Sequence, residues 1–192
     1  MSGCKVDLVL YHEGNISVVP TVIASPIPLV LLAVGDANPS LRVGHRVMLL
    51  AHHEGLAMRA EGVLDLVIDG LEGTEYEITD VQWELLERRR HIRVPVSVSV
   101  SMQTVRRTKD EFVKTYTGTT FDMSLSGAFI HANELPEENA LVEVTIELEP
   151  NKVKTLAVVA RVHKEGIGAG LHFVQYLNDS QPLLEEFLFD AA

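Results

Sequence analysis

This chain offers little to a long amphipathic helix and much to short strands. Before Leu86 only scattered short windows fit a helical period, whereas apolar and β-branched runs follow one another between turn residues. Val6 to Tyr11 reads as a first strand, His12-Glu13-Gly14-Asn15 as its turn, and Ile16 to Ile23 as the next run. The interval from Pro20 to Pro28 is expected to bend the chain or to lie at an edge, since proline cannot donate to a ladder. Pro39 to His45 reads as a loop and Arg46 to His52 as a strand, after which His53-Glu54-Gly55 turns the chain into Leu56 to Ala60. Val63 to Ile68 alternates only partly, is broken at Asp69-Gly70 and Glu72-Gly73, and is followed by a strand from Tyr76 to Leu86. Residues 1–86 are therefore expected to form a small antiparallel β-domain, a barrel.

The second half repeats the pattern. Strands are expected at Val94 to Val105 and Phe112 to Asp122, with the charged stretch Arg106 to Glu111 as the hairpin loop between them. Gly127 to His131 starts another, ending before the acidic loop Asn133 to Asn139. Val142-Glu143-Val144-Thr145-Ile146-Glu147-Leu148 alternates cleanly, which puts its apolar side chains on one buried face. Val153 to His163 and Ala169 to Val174 supply two more. The tail Asp179 to Phe189 carries capping residues, Pro182 near the first turn and a mostly apolar face, so it is the best helix in the chain, with a structural role over one barrel mouth. The expected fold class is all-β: two small antiparallel barrels, 1–86 and 87–192, joined by a basic linker and closed by a C-terminal helix.

Length permits one generous core or two small ones, at 192 residues. No segment reaches the roughly 18 uninterrupted apolar residues of a membrane span, and the start of the chain lacks the basic and long apolar pattern of a secretory signal, so a cytoplasmic location is expected. Cys4 is the only cysteine, which excludes an internal disulfide and a multi-cysteine zinc site. His52 and His53 are neighbours on a strand and point to opposite faces, so they do not share one ion easily.

Against a net charge of −11, which disfavours broad electrostatic DNA binding, half of the sixteen Lys and Arg residues fall between Glu87 and Lys114. The densest part is Glu87-Arg88-Arg89-Arg90-His91-Ile92-Arg93. Four guanidinium groups in six residues are either a solvated run or a prepared anion site. Farther on, Asp122, Ser124 and Gly127 stand at D-x-S-x-x-G spacing between apolar runs. In isolation that pattern reads first as a self-capping turn, in which Asp122 and Ser124 bond their own backbone and Gly127 serves the bend.

Taken in order, Arg-x-x-x-Arg at Arg89 and Arg93 followed by D-x-S-x-x-G resembles the PilZ domain, a family that binds the bacterial second messenger cyclic di-GMP. The resemblance runs from about Glu87 to the C-terminus and includes Gly168 to Phe173 as the late glycine-containing strand. The N-terminal half resembles the barrel of flagellar-brake members in strand order, without a residue-specific motif. The resemblance implies a non-enzymatic receptor with no cofactor, whose ligand is held by Arg88, Arg89, Arg93, Asp122, Ser124 and Gly127, and a protein partner that the sequence does not name.

The chemistry of those residue types fits such a ligand. An arginine fork pairs with guanine O6 and N7 or with phosphate oxygens, and its flat face stacks on a base. Asp122 can accept from guanine N1 and N2, Ser124 can reach a phosphate, and Gly127 permits close backbone approach or a positive φ. Arg88, ahead of the first motif arginine, is associated in the family with two intercalated ligand molecules; its guanidinium would stack on or pair with the second guanine. Ala160 takes the place of a frequent glycine. Three rivals remain: an enzyme acting on the dinucleotide, for which no metal-binding or nucleophilic cluster is present; a single-stranded nucleic-acid-binding barrel, for which Arg88 to Lys109 lacks aromatics; and a ligand-independent adaptor.

Overall fold

A computed structural model describes residues 3–12, 14–35, 40–53, 56–86, 91–107, 111–163 and 168–192. Among these residues lie twelve strands and one helix, divided into two compact units: residues 1–86 with 106–111, and 87–105 with 112–192.

The first unit contains β1 (Lys5–His12), β2 (Asn15–Pro26), β3 (Leu29–Ala33), β4 (Arg46–His53), β5 (Leu56–Gly70) and β6 (Gly73–Leu85), closed as an antiparallel barrel in the order β1-β2-β3-β6-β5-β4. Closure removes every sheet edge, so Pro20 does not lie at one: β2 pairs with both β1 and β3. Pro20 is tolerated because its carbonyl accepts the Val34 N–H at 2.8 Å just past the end of β3, where the missing donor costs one terminal ladder bond. The partial alternation of residues 63–68 also has a cause. Leu56 to Gly70 is one long strand whose register shifts twice against β6, at Glu61/Val63 and Leu64/Leu66, and each shift resets which face a side chain takes. Leu8, Leu31, Leu49, Leu64 and Tyr76 fill the interior of this barrel.

The second unit contains β7 (Ser99–Thr104), β8 (Thr115–Ser124), β9 (Gly127–Ala132), β10 (Leu141–Leu148), β11 (Asn151–His163), β12 (Gly168–Leu177) and α1 (Gln181–Ala191), with the strands closed in the order β10-β11-β12-β9-β8-β7. The clean alternation of β10 places Val142, Val144, Ile146 and Leu148 in the core. Leu184 and Leu188, four apart on α1, join the same core, which is the structural role expected of the tail. Ser180 does not cap the helix through its side chain. Its Oγ instead accepts the Lys154 N–H at 3.2 Å and lies 2.7 Å from the carbonyl oxygens of Lys154 and Leu177, tying the helix start to β11.

The expected strand from Val94 to Val105 is shorter than its apolar pattern. Regular pairing begins only at Ser99, because Pro95 removes a donor beforehand. Val94 forms an isolated bridge with Met123, the two N–H groups donating reciprocally at 2.8 and 3.0 Å. Between bridge and strand, the buried Thr120 side chain takes over from the ladder: Oγ1 donates to the Val96 carbonyl at 2.6 Å and accepts the Val98 N–H at 3.0 Å.

Candidate functional site

Holding residues 94–98 against β8 fixes the residue just before them. Arg93 Nη1 donates to Asp122 Oδ1 at 2.7 Å, joining the basic stretch to the D-x-S-x-x-G segment across 29 positions of sequence. Both side chains keep part of their surface in solvent, 33% for Arg93 and 24% for Asp122. One Asp122 oxygen and the remaining guanidinium donors therefore stand ready as an acceptor beside a fork.

Asp122 faces outward only because β8 carries a bulge. The pairing register of β8 on β9 shifts between Thr120 and Asp122, leaving Phe121 as the extra residue. Thr120 and Met123 are buried, while Phe121 and Asp122 between them both reach the surface. Strict alternation from the inward Thr120 would turn Asp122 into the core; the bulge keeps the carboxylate outside and returns Met123 to the interior.

The turn after Asp122 is bound into the protein from several sides. Ser124 is only 2% exposed. Its Oγ donates to the Gly127 carbonyl at 3.3 Å and accepts the Ser126 N–H at 3.3 Å, so the hydroxyl serves the turn's own backbone. Gly127 has no positive φ. What its position requires is the absence of a side chain, since a Cβ there would come within 2.1 Å of the Leu171 carbonyl oxygen. From β12, Phe173 N–H donates to the Ser126 carbonyl at 3.0 Å and Tyr176 Oη donates to the Leu125 carbonyl at 2.7 Å. Burial pushes the Tyr176 hydroxyl well above its ordinary pKa, with Glu185 adding in the same direction, so it remains a donor.

The structure thus brings Arg93 and Asp122 into contact and places Ser124 and Gly127 in the turn behind them. Arg88 and Arg89 lie outside the described residues. Sequence reasoning missed Thr120, Tyr176 and Phe173, whose signals are long-range contacts with no local pattern. Ala160, which takes the place of a frequent glycine, falls at a register shift of β11 against β12, between Val159 and Arg161. Arg161 beyond it is exposed, and lies two residues before His163, whose ring meets Phe129 on the outer face of the barrel.

Among the described residues no three His, Cys, Asp or Glu side chains are grouped to hold a metal ion, and no helix is long and apolar enough to cross a membrane. A family model described as PilZ domain matches residues 87–190. The chain belongs to the PilZ domain family. Arg93, Asp122, Ser124 and Gly127 all fall inside that PilZ match. A comparison with curated proteins finds no match. Solved structures similar to this PilZ protein include the Bacillus subtilis inhibitor of motility (MotI/DgrA), at 14% identity and TM-score 0.43, covering 99% of this chain and 96% of that one. Escherichia coli YcgR in complex with c-di-GMP is 14% identical with TM-score 0.39, covering 98% of this chain and 83% of that one. The K. pneumonia MrkH–c-di-GMP complex is 14% identical with TM-score 0.37, covering 98% of this chain and 87% of that one.

Proposed function

We infer that this protein is a non-enzymatic cyclic di-GMP receptor, and that its ligand is held on the PilZ barrel by Arg93 and Asp122 with the arginines Arg88 and Arg89. The observation that carries the reading is the 2.7 Å contact between Arg93 and Asp122, one residue from each motif. It sets an acceptor for guanine N1 and N2 beside a fork for guanine O6 and N7 or for phosphate, a pairing of donors and acceptors that adenine does not match. Ser124 and Gly127 contribute by shaping the turn that follows Asp122. A phosphate contact from Ser124 requires its hydroxyl to leave the turn.

Ligand bound by the stretch from Glu87 to Arg93 changes how one unit is oriented against the other, so that a different surface meets a protein partner. The output belongs to motility, exopolysaccharide or transcription control. A cytoplasmic location suits a ligand of that compartment, and the acidic net charge argues against direct DNA binding.

Isothermal titration of the full chain with cyclic di-GMP tests this, beside Arg89→Ala and Asp122→Ala and with GTP and cyclic di-AMP as controls. Tight binding of cyclic di-GMP by the wild type alone is expected, and a stoichiometry near two assigns the second molecule to Arg88. A wild type that does not bind is a ligand-independent adaptor instead.

A further inference from the structure

The bulge that turns Asp122 outward also exposes a phenylalanine. Phe121 is 61% exposed, directly beside the Arg93–Asp122 pair, in a strand whose neighbouring residues Thr120 and Met123 are buried. One face of its ring lies parallel to His131 on β9, with centroids 5.6 Å apart and planes 7° from parallel. Phe129 stands edge-on to both, at 6.3 Å and 85° to Phe121 and at 5.4 Å and 80° to His131, and edge-on to His163 at 5.5 Å.

Phe129 is itself seated. A Cβ at Gly168 on β12 would come within 2.6 Å of its ring, so glycine leaves the hollow in which the ring lies. Four rings from β8, β9 and β11 therefore brace one another on the outer face of the barrel, and the free face of Phe121 is what they present to solvent. A braced aromatic face loses little freedom when something stacks on it.

We propose that the Phe121–His131 pair is a stacking shelf for a guanine base of cyclic di-GMP: the base sets its polar edge on Asp122 and Arg93 and its flat face on Phe121. The inference rests on the receptor reading above and adds a contact that neither motif contains. Edge and face recognition complement each other, because the carboxylate and guanidinium choose the base while the ring excludes water from one side of those hydrogen bonds. Stacking on aromatic side chains contributes to binding of any base, since each has a π-face.

The test is isothermal titration of the full chain with cyclic di-GMP for wild type, Phe121→Ala and Phe121→Trp, with thermal melting of each ligand-free protein. Phe121→Ala is expected to bind roughly 5- to 150-fold more weakly, the range for loss of one base–aromatic stack. Phe121→Trp is expected to retain affinity and to change its fluorescence on titration beyond any change in the wild type, whose single tryptophan is Trp83. Wild-type affinity in Phe121→Ala overturns the shelf and leaves the receptor reading standing, whereas no binding by the wild type overturns both. Should Phe121→Ala melt before it can be titrated, Phe121→Trp decides alone: binding without a fluorescence change overturns the shelf.

Discussion

Arg93 and Asp122 meet at 2.7 Å although 29 residues separate them, and each keeps part of its side chain in water. A pair so exposed contributes little to folding, about 0.2–1 kcal/mol. Asp122→Asn is therefore expected to leave the melting temperature nearly unchanged while weakening cyclic di-GMP by about tenfold or more, the scale of a lost charge-assisted hydrogen bond. Arg93→Lys, which keeps charge but loses the fork, should weaken binding too. Paired melting and titration curves check this; a large loss of stability with unchanged affinity would make the pair a structural one.

Tyr176 holds the turn after Asp122 from beneath, through its 2.7 Å bond to the Leu125 carbonyl. Tyr176→Phe keeps the ring and removes only the donor, so denaturant unfolding should show a loss of about 0.5–1.5 kcal/mol. Affinity should fall less than in Asp122→Asn, because the turn is still held by Phe173 N–H on Ser126.

Gly127→Ala introduces a Cβ where the Leu171 carbonyl oxygen stands 2.1 Å away. Backbone on both sides must give way, and the variant is expected to lose about 1–3 kcal/mol or more. Chemical denaturation of the ligand-free protein is the check. If Gly127 served the ligand alone, stability would be unaffected and only binding would change.

In the first unit, His52 carries a buried Nε2 with no hydrogen-bond partner, near the ion pair of Asp7 with Arg107 at 2.7 Å. Burial lowers its pKa below the ordinary 6.5; Asp7 opposes the shift and Arg107 adds to it. The imidazolium is thus disfavoured in the folded state relative to the unfolded one. Above pH 6.5 both states hold it neutral and its contribution is constant; as pH falls through the window between 6.5 and the lower folded value, the unfolded state takes up the proton first and stability drops. Stability measured from pH 7.5 to 5 should therefore fall less steeply for His52→Gln than for the wild type, and identical slopes would exclude the histidine as a cause.

Much of the fold was legible because a barrel strand writes itself locally. β10 alternates, its three β-branched core residues fall on one face, and the turn residues around it fix its ends. The places that local rules did not settle are those where a distant group substitutes for such a rule. Pro20 sits inside a closed barrel because its missing donor faces the end of β3, and residues 94–98 lie along β8 without a continuous ladder because the Thr120 side chain bonds Val96 and Val98 between the Val94–Met123 bridge and the start of β7. At the site, residue types and order pointed to Arg93, Asp122, Ser124 and Gly127, but spacing did not distinguish Asp122, free to face a ligand, from Ser124, bound within its turn.

The sequence by itself determined the elements and the chemical inventory: two sets of short strands, one terminal helix, and arginines and a carboxylate suited to guanine and phosphate. Those follow from side-chain periodicity and functional groups, which are properties of neighbouring residues. Only the tertiary structure decided that Asp122 faces out, that Arg93 reaches it and that Phe121 stands beside them. A single shifted register in β8 sets all three, and that register depends on how β8 pairs with β9 and on the segment from Val94 to Val98 that crosses beside it.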